Sequence, residues 1–316
     1  MTGTFPVLLE VVAPIFAIIA AGYVAARRGL VDAAGFRGLN IFAFALAAPA
    51  LLFASGTAGH QGGGGAALAF FLGAGLLFVA VAWGARRAGM PLAASGMLAL
   101  DVSYGNTVMM GIPLIVATFG AAGLSILLTI LALHSVVLLG AATIIAEIGQ
   151  NRRAAPWKLL RITLAGIARN PVVMAVILAM LWSSLELSVP GPARRTLELL
   201  GAAAPPVALF CLGGSLHGFN AGAAWRQTSL TVALKLLALP LIVWSITSLM
   251  ELSPLEVAVA TLTAALPTGA NAFLLARRYG TGTEASGASV LMSTLLSVAT
   301  LSVLLAAFRQ SVTPLG

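Results

Sequence analysis

Apolar residues run along this chain in blocks of about twenty, and polar residues gather in the short stretches between them. A helix rises ~1.5 Å per residue and bilayer hydrocarbon is ~30 Å thick, so each block can cross a membrane as a single helix. With clusters of Gly, Pro and Arg as boundaries, the pattern predicts ten spans, at about 5–26, 36–55, 66–84, 92–118, 124–147, 170–187, 195–216, 227–249, 254–276 and 285–308. The expected fold class is an all-α polytopic membrane protein with ten transmembrane helices. The first span lacks a basic leading segment, so it reads as a retained helix rather than a signal peptide.

Positive charge orients the spans. Loops after the odd-numbered spans hold Arg27, Arg28 and Arg37; Arg86 and Arg87; Arg152, Arg153, Lys158, Arg161 and Arg169; Arg226; and Arg277 and Arg278. The opposite loops are nearly free of basic residues, with Arg194, Arg195 and Arg309 as exceptions. By the positive-inside rule both termini face outward. The longest inner connection, "GQNRRAAPWKLLRITLAGIARNP", has the pattern of an amphipathic helix on the membrane surface. It separates a first five-helix repeat, 1–150, from a second, 170–316, with 151–169 as the cytoplasmic link. Five is odd, so the second half enters the membrane in the opposite sense, the topology of a 5+5 inverted repeat.

The fourth and ninth spans then correspond, and both are interrupted in sequence. The fourth carries "YGNTVMMGIPL" and the ninth "ALPTGANAFLLARRYG". A mid-helix proline removes a backbone donor and crowds the carbonyl one turn earlier, which costs ~3 kcal/mol or more. In hydrocarbon such a break persists only where protein or a wet cavity satisfies the freed groups. Two breaks in corresponding spans point to a transporter's central site. Asn106, Gly111 and Pro113, with Pro267 and Asn271, are the candidate substrate-binding residues, and the half-helices are expected to cross at Pro113 and Pro267. The positive end of a half-helix favours an anion, most simply a carboxylate, with the two Asn side chains as directional partners.

Composition narrows the class without moving the site. Hydrophobic residues are 60% of the 316 and charged residues 8%, with a mean hydropathy of +1.04, which excludes a soluble domain. The net charge of +8 reflects loop topology rather than nucleic-acid binding. The single Cys211 allows no intrachain disulfide; no metal-ligand spacing occurs, and no cofactor is implied. His60, His134 and His217 are scattered, and no nucleophile elbow or paired acids appear, so an enzyme is not expected. The run Gly62–Gly65 lacks the Lys and Ser or Thr of a phosphate loop and reads as a flexible link.

Ionisable residues inside spans are the remaining candidates for chemistry. Asp101 precedes Asn106 by five residues. Lys235 lies midway along the eighth span, too deep for easy snorkelling, as a counter-charge for a carboxylate or for Asp101. His134, in the fifth span, is a candidate proton shuttle. Two other readings stay open: an ion-coupled symporter of a bile-acid-like or other organic solute, and an anion channel, because broken helices also line pores.

The motifs "NTVMMGIPL", "NPVV" from Asn170 and "LPTGANAFLLARRYG", on a ten-span plan covering nearly the whole chain, resemble the auxin efflux carrier family, whose bacterial members are often named malonate-carrier-like. The resemblance implies broken helices crossing at Pro113 and Pro267, Asn106 and Asn271 beside them, and transport of organic anions. The family is similar in architecture to bile-acid and sodium–proton transporters. That similarity implies an elevator mechanism and a homodimer, with spans 1, 2, 6 and 7 as scaffold and spans 3–5 and 8–10 as the moving core. The chain departs from plant members in lacking a long central hydrophilic loop. Its preference for Arg over Lys, with abundant Ala and Gly, fits a GC-rich bacterial genome, and the expected location is a bacterial inner membrane.

Overall fold

The computed structural model describes residues 13–57, 63–150, 171–218 and 224–312. The amphipathic connection expected at 151–169 lies outside them, as do Glu10, His60 and Asn170. Among the described residues every regular element is helical: α1 (Ala13–Arg27), α2 (Ala33–Phe42), α3 (Ala48–Gly56), α4 (Gly64–Arg87), α5 (Leu92–Ser103), α6 (Ile112–His134), α7 (Gly140–Gln150), α8 (Pro171–Ser184), α9 (Gly191–Ala202), α10 (Ala204–Leu216), α11 (Trp225–Ala233), α12 (Leu239–Leu249), α13 (Pro254–Ala265), α14 (Ala270–Arg278) and α15 (Thr283–Val312). Among the described residues six continuous helical runs are long and apolar enough to cross a membrane, Gly64–Arg87, Trp225–Leu249 and Thr283–Phe308 among them; α1, α5, α8 and α13 are shorter apolar helices.

α4 illustrates why these sequences suit lipid rather than water. Ala66, Ala69, Phe70, Ala74, Leu77 and Phe78 are buried, while Leu68, Leu72, Leu76, Val79 and Trp83, three or four residues apart, form an exposed stripe. In water the outer stripe would be polar; here both faces are apolar, as a lipid-facing helix requires. Local signals set the ends. Ser253 and Glu256 form a reciprocal capping box with Pro254 in the first turn of α13, and Asp32 accepts from the Gly35 N–H at the start of α2. Gly120, at φ 60° and ψ −148°, divides the long run of α6 where the turn "FGAAG" is expected, in a conformation open to glycine.

Among the described residues four wide π-type turns join or extend helices, at Ala43–Ala47, Thr107–Gly111, Ser135–Leu139 and Leu234–Ala238. Three end two residues before a proline: Pro49, Pro113 and Pro240. A proline ring crowds the carbonyl four residues back, and an extra residue in the turn moves that carbonyl aside. This corrects one expectation. The helix does not stop at Pro113, which is buried in the first turn of α6; the non-helical residues of the fourth span are Tyr104, Gly105 and Asn106.

By contacts the chain forms two compact units. The first gathers Met1–Gly63, Val108–Ala132 and Ala165–Gly218. Within it α1 and α10 meet backbone to backbone: a Cβ on Gly22 would overlap the Phe210 carbonyl, and one on Gly213 the Ile19 carbonyl. α9 seats Gly201 on the backbone of Leu51. Arg194 donates to the carbonyls of Ala54 and Thr57 at 3.4 Å, capping the end of α3, and Arg195 lies 3.9 Å from Glu198. Arg194 and Arg195, two of the three arginines that depart from the charge rule, thus have partners within this unit.

The second unit gathers Gly64–Thr107, Leu133–Leu164 and Phe219–Gly316. In it Gly149 of α7 lies against the backbone of Ala93 on α5, and Gly73 of α4 faces Val243 of α12. Tyr279, just past α14, donates its hydroxyl to Glu147 at 2.9 Å, while Gln150 donates to the Tyr279 carbonyl at 2.7 Å. Burial, and then the Glu147 carboxylate, push the Tyr279 phenol up to about 12.

Candidate functional site

The second unit holds two short non-helical strips side by side. Tyr104–Asn106 follows α5, and Leu266–Gly269 separates α13 from α14. They pair as an isolated antiparallel bridge between Gly105 and Thr268. The Asn106 N–H donates to the Pro267 carbonyl at 2.8 Å, and the Gly269 N–H donates to the Tyr104 carbonyl at 3.0 Å. The backbone groups freed from helix thus satisfy one another. Small residues permit the approach. A Cβ on Gly269 would lie 2.7 Å from the Tyr104 ring, and one on Gly105 would lie 3.3 Å from the Thr263 carbonyl. Gly105 is thus the residue that pairs with the ninth-span strip.

The expected polar residues collect around this bridge. Asn106 is only 5% exposed, and its Nδ2 has no acceptor among the described residues. Asn271, exposed in the first turn of α14, donates to the Tyr104 hydroxyl at 3.1 Å, and that hydroxyl is 3.0 Å from Ser135 Oγ. No side chain caps the N-terminus of α14. His134 Nε2 accepts the Gly105 N–H at 3.3 Å, so its proton sits on Nδ1, which has no partner among the described residues. Its ring packs on Tyr104 with centroids 4.4 Å apart.

Asp101 and Lys235 lie in the same unit with different partners. Asp101 Oδ1 accepts from Ser286 at 2.5 Å, and its main-chain carbonyl accepts from the Thr268 hydroxyl at 2.9 Å. Ser293 in turn accepts the Thr268 N–H at 3.0 Å. Lys235 Nζ donates to the Ala264 carbonyl at 2.6 Å. Among the described residues the one ion pair within 4.0 Å is Arg195–Glu198, so Lys235 is not the direct counter-charge of Asp101. Lys235 holds backbone at the end of α13, whereas the Asp101 carboxylate holds the Ser286 side chain of α15.

Gly111 and Pro113 fall within the first unit, in the wide turn and the first turn of α6. Tyr104, Ser135 and Ser286 are the polar contributors that residue type alone does not single out. Ser286 had a signal: with Ser289, Ser293 and Ser297 it repeats every three or four residues along a mostly apolar helix, and all four are buried. No group of three or more His, Cys, Asp or Glu among the described residues could hold a metal ion.

A family model described as "Membrane transport protein" matches residues 7–305. A protein of Rhizobium meliloti (strain 1021) named "Putative malonate transporter" is 32% identical over 149 residues, a stretch covering 47% of this chain and 47% of that relative. The match therefore spans about half the length of the relative. The chain belongs to the membrane transport protein family, the auxin efflux carrier family, and is a multi-pass membrane protein.

Proposed function

We propose that the chain carries small organic anions, carboxylates and malonate-like dicarboxylates among them, through a site where its two interrupted spans cross. The observation that carries this reading is the Asn106 amide, buried with an unused donor beside the bridge that leads into α14. A buried donor without an acceptor costs ~1–3 kcal/mol, and a carboxylate oxygen supplies the acceptor. The uncapped first turn of α14 adds a partial positive charge of ~0.5 and free N–H groups. Asn271, in that turn, is the second directional contact. Pro267 shapes the ninth-span strip, and Gly111 and Pro113 shape the wide turn by which the fourth span resumes. The name of the Rhizobium meliloti relative supports the same substrate class.

In this reading ten spans form a 5+5 inverted repeat in a bacterial inner membrane, with both termini outside. The unit holding the crossover moves as an elevator against a dimeric scaffold built on spans 1, 2, 6 and 7. The test is a thermal-shift series on detergent-purified protein with mono- and dicarboxylates, malonate included, and matched neutral and cationic compounds. At 100 times its dissociation constant a ligand adds ~2.7 kcal/mol to the unfolding free energy. The expected result is stabilisation by a carboxylate in the wild type that is lost in Asn106→Ala and Asn271→Ala. Stabilisation only by neutral or cationic compounds, or carboxylate stabilisation undiminished in both variants, overturns the reading.

A further inference from the structure

Lys235 is the one lysine among the described residues, and it is completely buried. Its position follows from the wide turn Leu234–Ala238, which ends two residues before Pro240. Nζ donates to the carbonyl of Ala264, the next-to-last residue of α13. It also lies 3.6 Å from where a Cβ of Gly105 would be, so the ammonium reaches both interrupted segments. The last four carbonyls of a helix lack intrahelical partners and carry the negative end of its dipole. Here those carbonyls are buried, and of the last four α13 residues Leu262, Ala264 and Ala265 have apolar side chains. Such a carbonyl-lined helix end is chemically the place for a cation, either a bound ion or a tethered one.

The charged and titratable groups facing Lys235 from packed elements are few. No carboxylate lies within 4.0 Å among the described residues. Asp101 of α5 is occupied by Ser286. His134, which ends α6, accepts from Gly105 through Nε2 and so faces this region as a neutral ring. The ammonium therefore has backbone carbonyl rather than carboxylate as its partner. An ammonium on a carbonyl oxygen makes the kind of charge–dipole contact by which an alkali metal ion would be held there.

We propose that Lys235 is a built-in cation: its ammonium holds the carbonyl end of α13 against Gly105, so that the bridge between the two strips assembles without a bound alkali metal ion. Lys235 is thus a positioning residue, and it acts on the frame of the site whether or not a carboxylate proves to be the substrate.

The test is the thermal midpoint of the purified full chain in choline, sodium, potassium and n-propylammonium chloride at equal ionic strength, without any carboxylate. The wild type should unfold at the same midpoint in all four salts. Lys235→Ala should unfold earlier in choline and recover on propylammonium, which supplies the methylenes and charge removed, but not on the neutral isostere n-propanol. Lys235→Met, which fills the space without charge, should unfold early and recover with neither. A saturable rise of the wild-type midpoint with sodium or potassium overturns the proposal. So does a Lys235→Ala or Lys235→Met midpoint equal to wild type, or equal recovery with propanol. If Lys235→Ala yields folded protein only when purified in propylammonium, that supports the proposal; if it yields none in any salt, the wild-type salt series and Lys235→Met decide it.

Discussion

At the residue scale, the proposed function makes the Asn106 side chain the group that sets the sign of the charge the site accepts. Its backbone N–H is already used by Pro267, so the side-chain amide is the donor left over. Replacing it with Asp removes that donor and adds a repelling charge. Asn106→Asp should therefore abolish carboxylate-induced stabilisation more completely than Asn106→Ala, and isothermal titration with malonate would show the order. Tyr104 acts at one remove: its hydroxyl holds Asn271 while its ring packs on His134. Tyr104→Phe keeps the ring and loses only the hydrogen bonds, so affinity should fall by about 0.5–1.5 kcal/mol, up to roughly tenfold. A loss of all binding in Tyr104→Phe would mean that the hydroxyl itself contacts the ligand. Tyr104 stands in the motif next to Gly105 and Asn106, yet its part is not legible there, because its partners Ser135 and Asn271 come from distant segments.

At the element scale, two prolines that look alike in sequence do different work. Pro267 lies in a strip whose helix has ended, whereas Pro113 sits in a helix that a widened turn has adapted to it. A proline shows only that one backbone donor is missing; whether the helix breaks or widens depends on what pairs with the freed carbonyls. At Gly105 another strip is present to pair, and at Pro113 the wide turn takes up the strain. Pro113→Ala should thus cost little, within about 1 kcal/mol, while Gly269→Ala must displace the Tyr104 ring and should cost about 1–3 kcal/mol in denaturation experiments. The α13 cap gives a smaller effect away from the site: Ser253→Ala should cost about 1 kcal/mol. The latch at the end of α14 has a pH signature. Because the Tyr279 phenol is raised in the fold, its contribution is complete below about pH 10 and is lost only as pH climbs toward 12. The stability difference between wild type and Tyr279→Phe should therefore be the same at pH 6 and pH 9.

At the scale of the whole molecule, hydrophobic block length and breaker residues were enough to read an all-helical membrane protein, and the paired motifs were enough to name its family. Less legible were contacts made by long side chains to distant backbone. Arg194 breaks the charge rule because it caps α3 from 137 residues away along the chain, and no local pattern announces that. Lys235 is comparable: its depth in the span was visible, but its carbonyl partner was not. A carrier with one site exposed alternately saturates and runs faster when both sides hold substrate. In proteoliposomes, uptake of labelled malonate should accelerate when unlabelled malonate is loaded inside, whereas a pore would show no such gain.

The meeting of Gly22 and Gly213 has a practical consequence for watching this protein move. At these two glycines the helices touch main chain to main chain, so neither can slip along the other without a side chain striking backbone. Paired spin or fluorescent labels near the solvent ends of α1 and α10 should thus form an internal ruler, a length expected to stay constant through the proposed transport cycle. Any displacement recorded elsewhere can be measured against it.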